Sequence, residues 1–179
     1  MLGVLRALLV GLVDIILLRR GPDVLPTSTV LLALVIALHT AIYVLIASRM
    51  PDGVALWPLI LGLSVVFTLG WYYVTLKRAR KPERFTQTMT AMYGVNVLFL
   101  PVVMPLALEF MSRPKEQQAT AGALALVILV VSIWDLVVSV HIVRAALEWP
   151  MLGALGLSVA QNLAWIVVSG ALFGGLASP

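Results

Sequence analysis

Residues 120–147 read TAGALALVILVVSIWDLVVSVHIVRAAL, with Asp135, His141 and Arg144 as the only ionisable side chains. At about 1.5 Å of rise per residue this run makes a helix about 42 Å long, more than a hydrocarbon layer of about 30 Å requires. Apolar and polar residues do not alternate along it, so neither a half-buried strand nor a membrane-barrel strand fits. In hydrocarbon every backbone amide must find its partner inside the segment, and a helix achieves that.

On either side of this stretch, four more runs of the same kind occupy residues 28–48, 54–76, 86–111 and 150–176. With 61% apolar residues, 11% charged residues and a mean hydropathy of +1.06, the 179-residue chain carries too much apolar surface for a water-soluble domain. The expected fold is all-α, a single polytopic membrane domain over residues 1–179 with five transmembrane helices and little outside the bilayer. Cysteine is absent, which excludes disulfides, thiolate metal sites and thiol nucleophiles.

Residues 1–20 differ from the five runs. On a helical wheel Arg6, Val10 and Asp14 share one narrow stripe, and Leu5, Leu8, Leu9, Leu12, Ile15 and Ile16 cover the remainder. The pattern predicts an amphipathic helix lying in the membrane interface, with Arg19 and Arg20 at the headgroups. No small-x-small cleavage site follows, so the segment does not read as a secretory signal.

The basic residues orient the chain. With the N-terminus in the cytoplasm, Arg6, Arg19, Arg20, Lys77, Arg78, Arg80, Lys81, Arg84 and Arg144 lie inside, and Arg49, Arg113 and Lys115 outside. Nine against three predicts N-terminus in and C-terminus out, in a bacterial inner membrane. The same placement explains the net charge of +4 without nucleic acid as a partner. The loop residues Lys77, Arg78, Arg80, Lys81 and Arg84 form the densest charge cluster, read as a face for anionic lipid or for an acidic partner.

Connections and breaks follow from local chemistry. Thr27, Ser28 or Thr29 is placed to cap the first span. The short turn 49–53 predicts that the first two spans pack as a hairpin, and Glu148-Trp149-Pro150 predicts the same for the last two. Pro101 and Pro105 each remove an intrahelical hydrogen bond and predict a kink or break in the third span. Arg144 is expected to reach the headgroups or to pair with Glu148 four residues on. Gly170 and Gly174 form a GxxxG, a helix-packing motif, and Gly62 and Gly70 are similarly spaced on the second span. Trp57, Trp71, Tyr72, Tyr73 and Trp149 sit near span ends as interface aromatics do, whereas Trp134 and Trp165 lie deeper and read as packing residues.

The chemistry lies in a coincidence of depth. His39, Asn96, Asp135, Gln161 and Asn162 each fall within a few residues of the middle of their own span. As interhelical glue such groups supply about 0.6–2 kcal/mol each and fix which faces meet. Alternatively, Asp135 and His39 exchange protons while Asn96, Gln161 and Asn162 hold a solute. An intramembrane enzyme is a third class, and it requires a water-filled cavity reaching Asp135. No nucleophile motif, phosphate loop or metal-ligand spacing is present, and His39 and His141 lie at different depths, so neither a metal nor a haem is expected.

An amphipathic N-terminal segment, a Gly21-Pro22 lead-in, five spans, a basic loop at 77–84 and prolines at 101 and 105 resemble the bacterial Yip1-domain type of small membrane protein. The resemblance is one of architecture, and it implies a membrane organiser or accessory factor. The expectation is therefore a non-catalytic accessory or assembly subunit that holds other membrane proteins, or a second copy of itself, through its helix faces. The alternative is a small proton-coupled transporter or channel component built on Asp135 and His39.

Overall fold

The computed structural model describes residues 2–48, 57–114 and 122–173. The turn 49–53, Lys115 to Gln118 and Gly174 lie outside the described residues. Within them the chain forms six helices: α1 (Leu2–Ile16), α2 (Thr29–Ala47), α3 (Trp57–Arg78), α4 (Phe85–Ser112), α5 (Gly122–Leu147) and α6 (Met151–Phe173). Five of them, α2 to α6, are long and apolar enough to cross a membrane. The 15 residues of α1 reach only about 22 Å, short of a crossing.

The ends of these helices have local causes. Ser28 caps α2, its Oγ accepting from the Leu31 amide at 3.2 Å. The helices α1, α3 and α5 end alike, on a residue in the left-handed region: Leu18 (φ 59°), Arg80 (φ 58°) and Glu148 (φ 57°). Each lets the next amide reach back five residues: Arg19 to the Asp14 carbonyl at 2.9 Å, Lys81 to Leu76 at 2.9 Å and Trp149 to Arg144 at 3.3 Å. The segment 20–25, the loop 79–84 and the turn 148–150 all meet at one end, so the five long helices alternate in direction. This is termed the basic end.

Two of the expectations above are corrected and a third is narrowed. Of the kink or break expected at Pro101 and Pro105, the break is absent: α4 runs unbroken through both, and they lie four residues apart on its exposed face. The helix α2 packs chiefly along α4 rather than on α3, while α5 and α6 do pack as neighbours. Trp134 is not a packing residue, since it is 41% exposed on the outer face of α5.

The helices pack in series, α2 on α4, α4 on α5 and α5 on α6, with α3 closing the ring more loosely against α2, α4 and α6. The tightest core lies toward the basic end, where Leu76, Met89, Val138, Ile142 and Val143 are almost fully buried. The helix α1 completes this end, with Leu8, Leu12 and Ile15 buried and Leu9, Val10 and Val13 exposed. Its apolar surface is thus divided between the bundle and its surroundings. The segment after it is stitched down: Gln87 Nε2 donates to the Leu25 carbonyl at 2.7 Å and the Asp23 carbonyl at 3.2 Å. His141 Nε2 lies 2.9 Å from the Arg20 carbonyl, which can only accept, so this nitrogen carries the proton.

Gly94 makes the seat for α1. A Cβ there would stand 2.7 and 2.9 Å from the two methyls of Leu12, itself only 3% exposed. Gly94→Val is expected to lower stability by about 1–3 kcal/mol through overpacking. Thermal melting in detergent measures this, and a Leu12→Ala background should recover part of the loss.

Candidate functional site

The five polar residues singled out by depth line one cavity of about 800 Å³. The register explains why they meet. His39 lies ten residues into α2, Asn96 eleven into α4, Gln161 ten into α6, and Asp135 twelve before the end of α5. All therefore stand about 15–18 Å from the basic end along their helix axes. The packed core forms the floor of this cavity on the basic side.

Sequence reasoning missed several wall residues. Ser64, Thr68 and Tyr72 on α3, spaced by four, put one polar face of that helix on the cavity. Ser132 and Ser139 flank Asp135 on α5 at helical spacing, and Ser158 does the same for Gln161 and Asn162 on α6. The signal was a weak polar period of three and four in each span. Tyr72 is a correction, since it is buried against the cavity and does not sit at the interface. Tyr43, Tyr93 and Trp165 add aromatic rings to the lining.

The two ionisable groups, His39 and Asp135, come together without bonding to each other. His39 Nδ1 and Asp135 Oδ1 are buried with no hydrogen-bond partner among the described residues. No ion pair joins them. Asn162 Nδ2 donates within its own helix to the Ser158 carbonyl at 2.9 Å. Tyr93 reaches across to α3, its hydroxyl donating to the Val65 carbonyl at 3.4 Å, while its ring meets His39 edge-on at 5.2 Å. Neither Ser132 nor Ser139 is hydrogen-bonded to His39, and among the described residues no group of three His, Asp or Glu could hold a metal ion.

The remaining candidates fall elsewhere. A Cβ on Gly170, Gly62 or Gly70 would meet open space, so none of these glycines brings a neighbouring helix of the chain close. Arg144 is exposed and does not pair with Glu148. In the basic loop Lys77, Arg78 and Arg80 are exposed, with Lys77 Nζ 5.8 Å from the Tyr73 ring centre. Lys81 and Arg84 are corrections to the outward-facing cluster, because they turn onto the end of α5. Lys81 Nζ donates to the Leu147 carbonyl at 3.1 Å, and Arg84 to the Ala145 and Ala146 carbonyls at 3.2 and 3.1 Å. Both also pair with Glu148, at 2.6 Å from Lys81 and 2.5 Å from Arg84. Cations thus satisfy the unpaired carbonyls at the negative end of a helix.

The hydrogen bond from Lys81, then that from Arg84 and the charges of both, hold the Glu148 carboxyl below the usual carboxylate range. A lowered folded-state pKa means that the contribution is present above the unfolded value, about 4.5, and is lost as pH falls through the folded one. Glu148→Gln should therefore melt lower than the wild type at neutral pH and converge with it in acid. Melting curves from pH 7 down to about 3 check this.

Compared with known protein families, curated proteins and solved structures, the chain finds no match.

Proposed function

We propose that the chain is a small membrane transporter or channel component, non-catalytic, which binds a polar solute at mid-membrane and uses Asp135 with His39 to couple it to protons. The observation that carries this is the cavity of about 800 Å³ in which the mid-span polar groups gather and leave buried acceptor and donor atoms unused. Interhelical glue accounts for polar groups that bond to each other; His39 Nδ1 and Asp135 Oδ1, buried on the cavity, do not. A hydrolase would align a serine on the imidazole, and none is aligned. By the excess of basic residues at its turns, the basic end faces the cytoplasm of a bacterial cell, so the floor lies on the inner side.

The test is proton movement in liposomes that hold the full chain and an internal pH dye, challenged in turn with small amines, amino acids, sugars and carboxylates. Proton movement driven by one solute class, and lost in Asp135→Asn, supports the proposal. No solute-dependent signal from any class overturns it, and leaves the accessory-subunit expectation, whose sign is a partner retained stoichiometrically through purification in mild detergent.

A further inference from the structure

We infer that the solute is a small organic cation, an amine or an ammonium, and that it exchanges directly with the proton on Asp135; this rests on the transport reading above. The argument is one of charge balance. An ionised carboxylate alone at the bilayer centre costs from about 2.5 kcal/mol upward, so Asp135 must either carry a proton or face a cation. The fold supplies no permanent cation. No lysine or arginine lines the cavity, and Arg144, nine residues along α5, points to the opposite side of that helix and is exposed.

The other titratable groups on the cavity do not fill the role. His39 on α2 is set edge-on against the Tyr93 ring and makes no ion pair with Asp135. Tyr43, Tyr72 and Tyr93, from α2, α3 and α4, have phenol groups that never carry a positive charge, and the polar side chains of α6 on the cavity are amides, a serine and the Trp165 indole. The neutralising charge therefore comes from the solvent as a proton or from the ligand itself. An anionic solute would place a second negative charge beside Asp135. A neutral solute would leave the proton on Asp135, so it could travel with that proton but not exchange for it.

The walls also suit a cation. Tyr43, Tyr72, Tyr93 and Trp165, from four different helices, line the cavity with aromatic rings, a residue type that attracts an organic cation desolvated inside the membrane. A volume of about 800 Å³ lies within the range of cavities that enclose small organic molecules. In the exchange the carboxylic acid of Asp135 releases its proton to water, and the resulting carboxylate pairs with the entering cation. No covalent bond to the solute forms, and the net charge of the cavity is the same before and after.

The experiment follows proton release from the full chain in detergent, in weakly buffered solution with a pH indicator, on addition of tetraethylammonium chloride or benzylammonium chloride. The expected result is release approaching one proton per chain for at least one of the two, with none for sodium chloride or sodium benzoate. Asp135→Asn should abolish release and weaken cation binding at least about tenfold. Asp135→Glu, which keeps the carboxyl, should retain release. The size-exclusion profile and melting curve of each variant show whether it is folded. No release with either cation from folded wild type overturns the inference, as does equal release from folded Asp135→Asn or its loss in folded Asp135→Glu. If sugars or carboxylates alone drive proton movement in the liposomes, the cation inference falls and transport stands. If no solute does, both fall.

Discussion

Asp135→Asn is expected to cut solute-driven proton movement by about 100-fold or more, while the protein melts at the same temperature or higher. The first half follows from losing the carboxyl that, under the proposal, trades a proton for the charge of the entering solute, and removal of a proton-transferring side chain costs about 10²–10⁴ in rate. The second half follows from burial. Asp135 Oδ1 has no partner to lose, so the amide leaves no neighbour unsatisfied. The amide is as unpaired as the carboxylic acid it replaces, so it costs the fold little, and it removes the need to keep a proton on the group. The glue reading expects the reverse: lower stability with activity retained. Flux in liposomes and melting in detergent, measured on the same preparation, separate the two.

Arg84→Ala is expected to destabilise the protein by about 2–3 kcal/mol, the largest loss from any one substitution in its loops. The guanidinium spans the Ala145 and Ala146 carbonyls and the Glu148 carboxylate, and hydrogen bonds from a charged donor contribute about 1.5–3 kcal/mol each when shielded. Its side chain is 36% exposed, so solvent screening brings the sum down. Arg84→Lys should lie between the two, because an ammonium cannot fork across a pair of carbonyls. Melting in detergent gives the magnitude. Hydrogen exchange at the α5–α6 turn should speed up before the centre of α4 does.

The five long helices were legible because lipid imposes length and composition on them, and Ser28 was legible as a cap because its hydroxyl precedes an apolar run. The cavity was legible in part. Depth alone brought His39, Asn96, Asp135, Gln161 and Asn162 to one plane, since a helix converts residue count into height. Which way each side chain points was not, and Ser64 and Thr68 of α3 with Ser132, Ser139 and Ser158 of α5 and α6 were overlooked because small hydroxyls are common in membrane helices. The pairing of Arg144 with Glu148 failed for a backbone reason. The spacing of four assumes a continuing helix, and Glu148 lies just past its end in a left-handed conformation that turns the carboxylate toward the 79–84 loop. Lys81 and Arg84 were read with the exposed cluster because nothing local shows that α5 ends beside them. Gly94 gave no signal either, as its need for space is set by Leu12, eighty-two positions away.

Glu148, held by Lys81 and Arg84, fastens the α3–α4 turn to the α5–α6 turn directly beneath the cavity floor. Under the transport proposal, cargo that leaves by the basic end has to pass these ion pairs, so they act as a latch on that end. High ionic strength or acid, by loosening the latch, is then expected to favour opening there without touching the pocket.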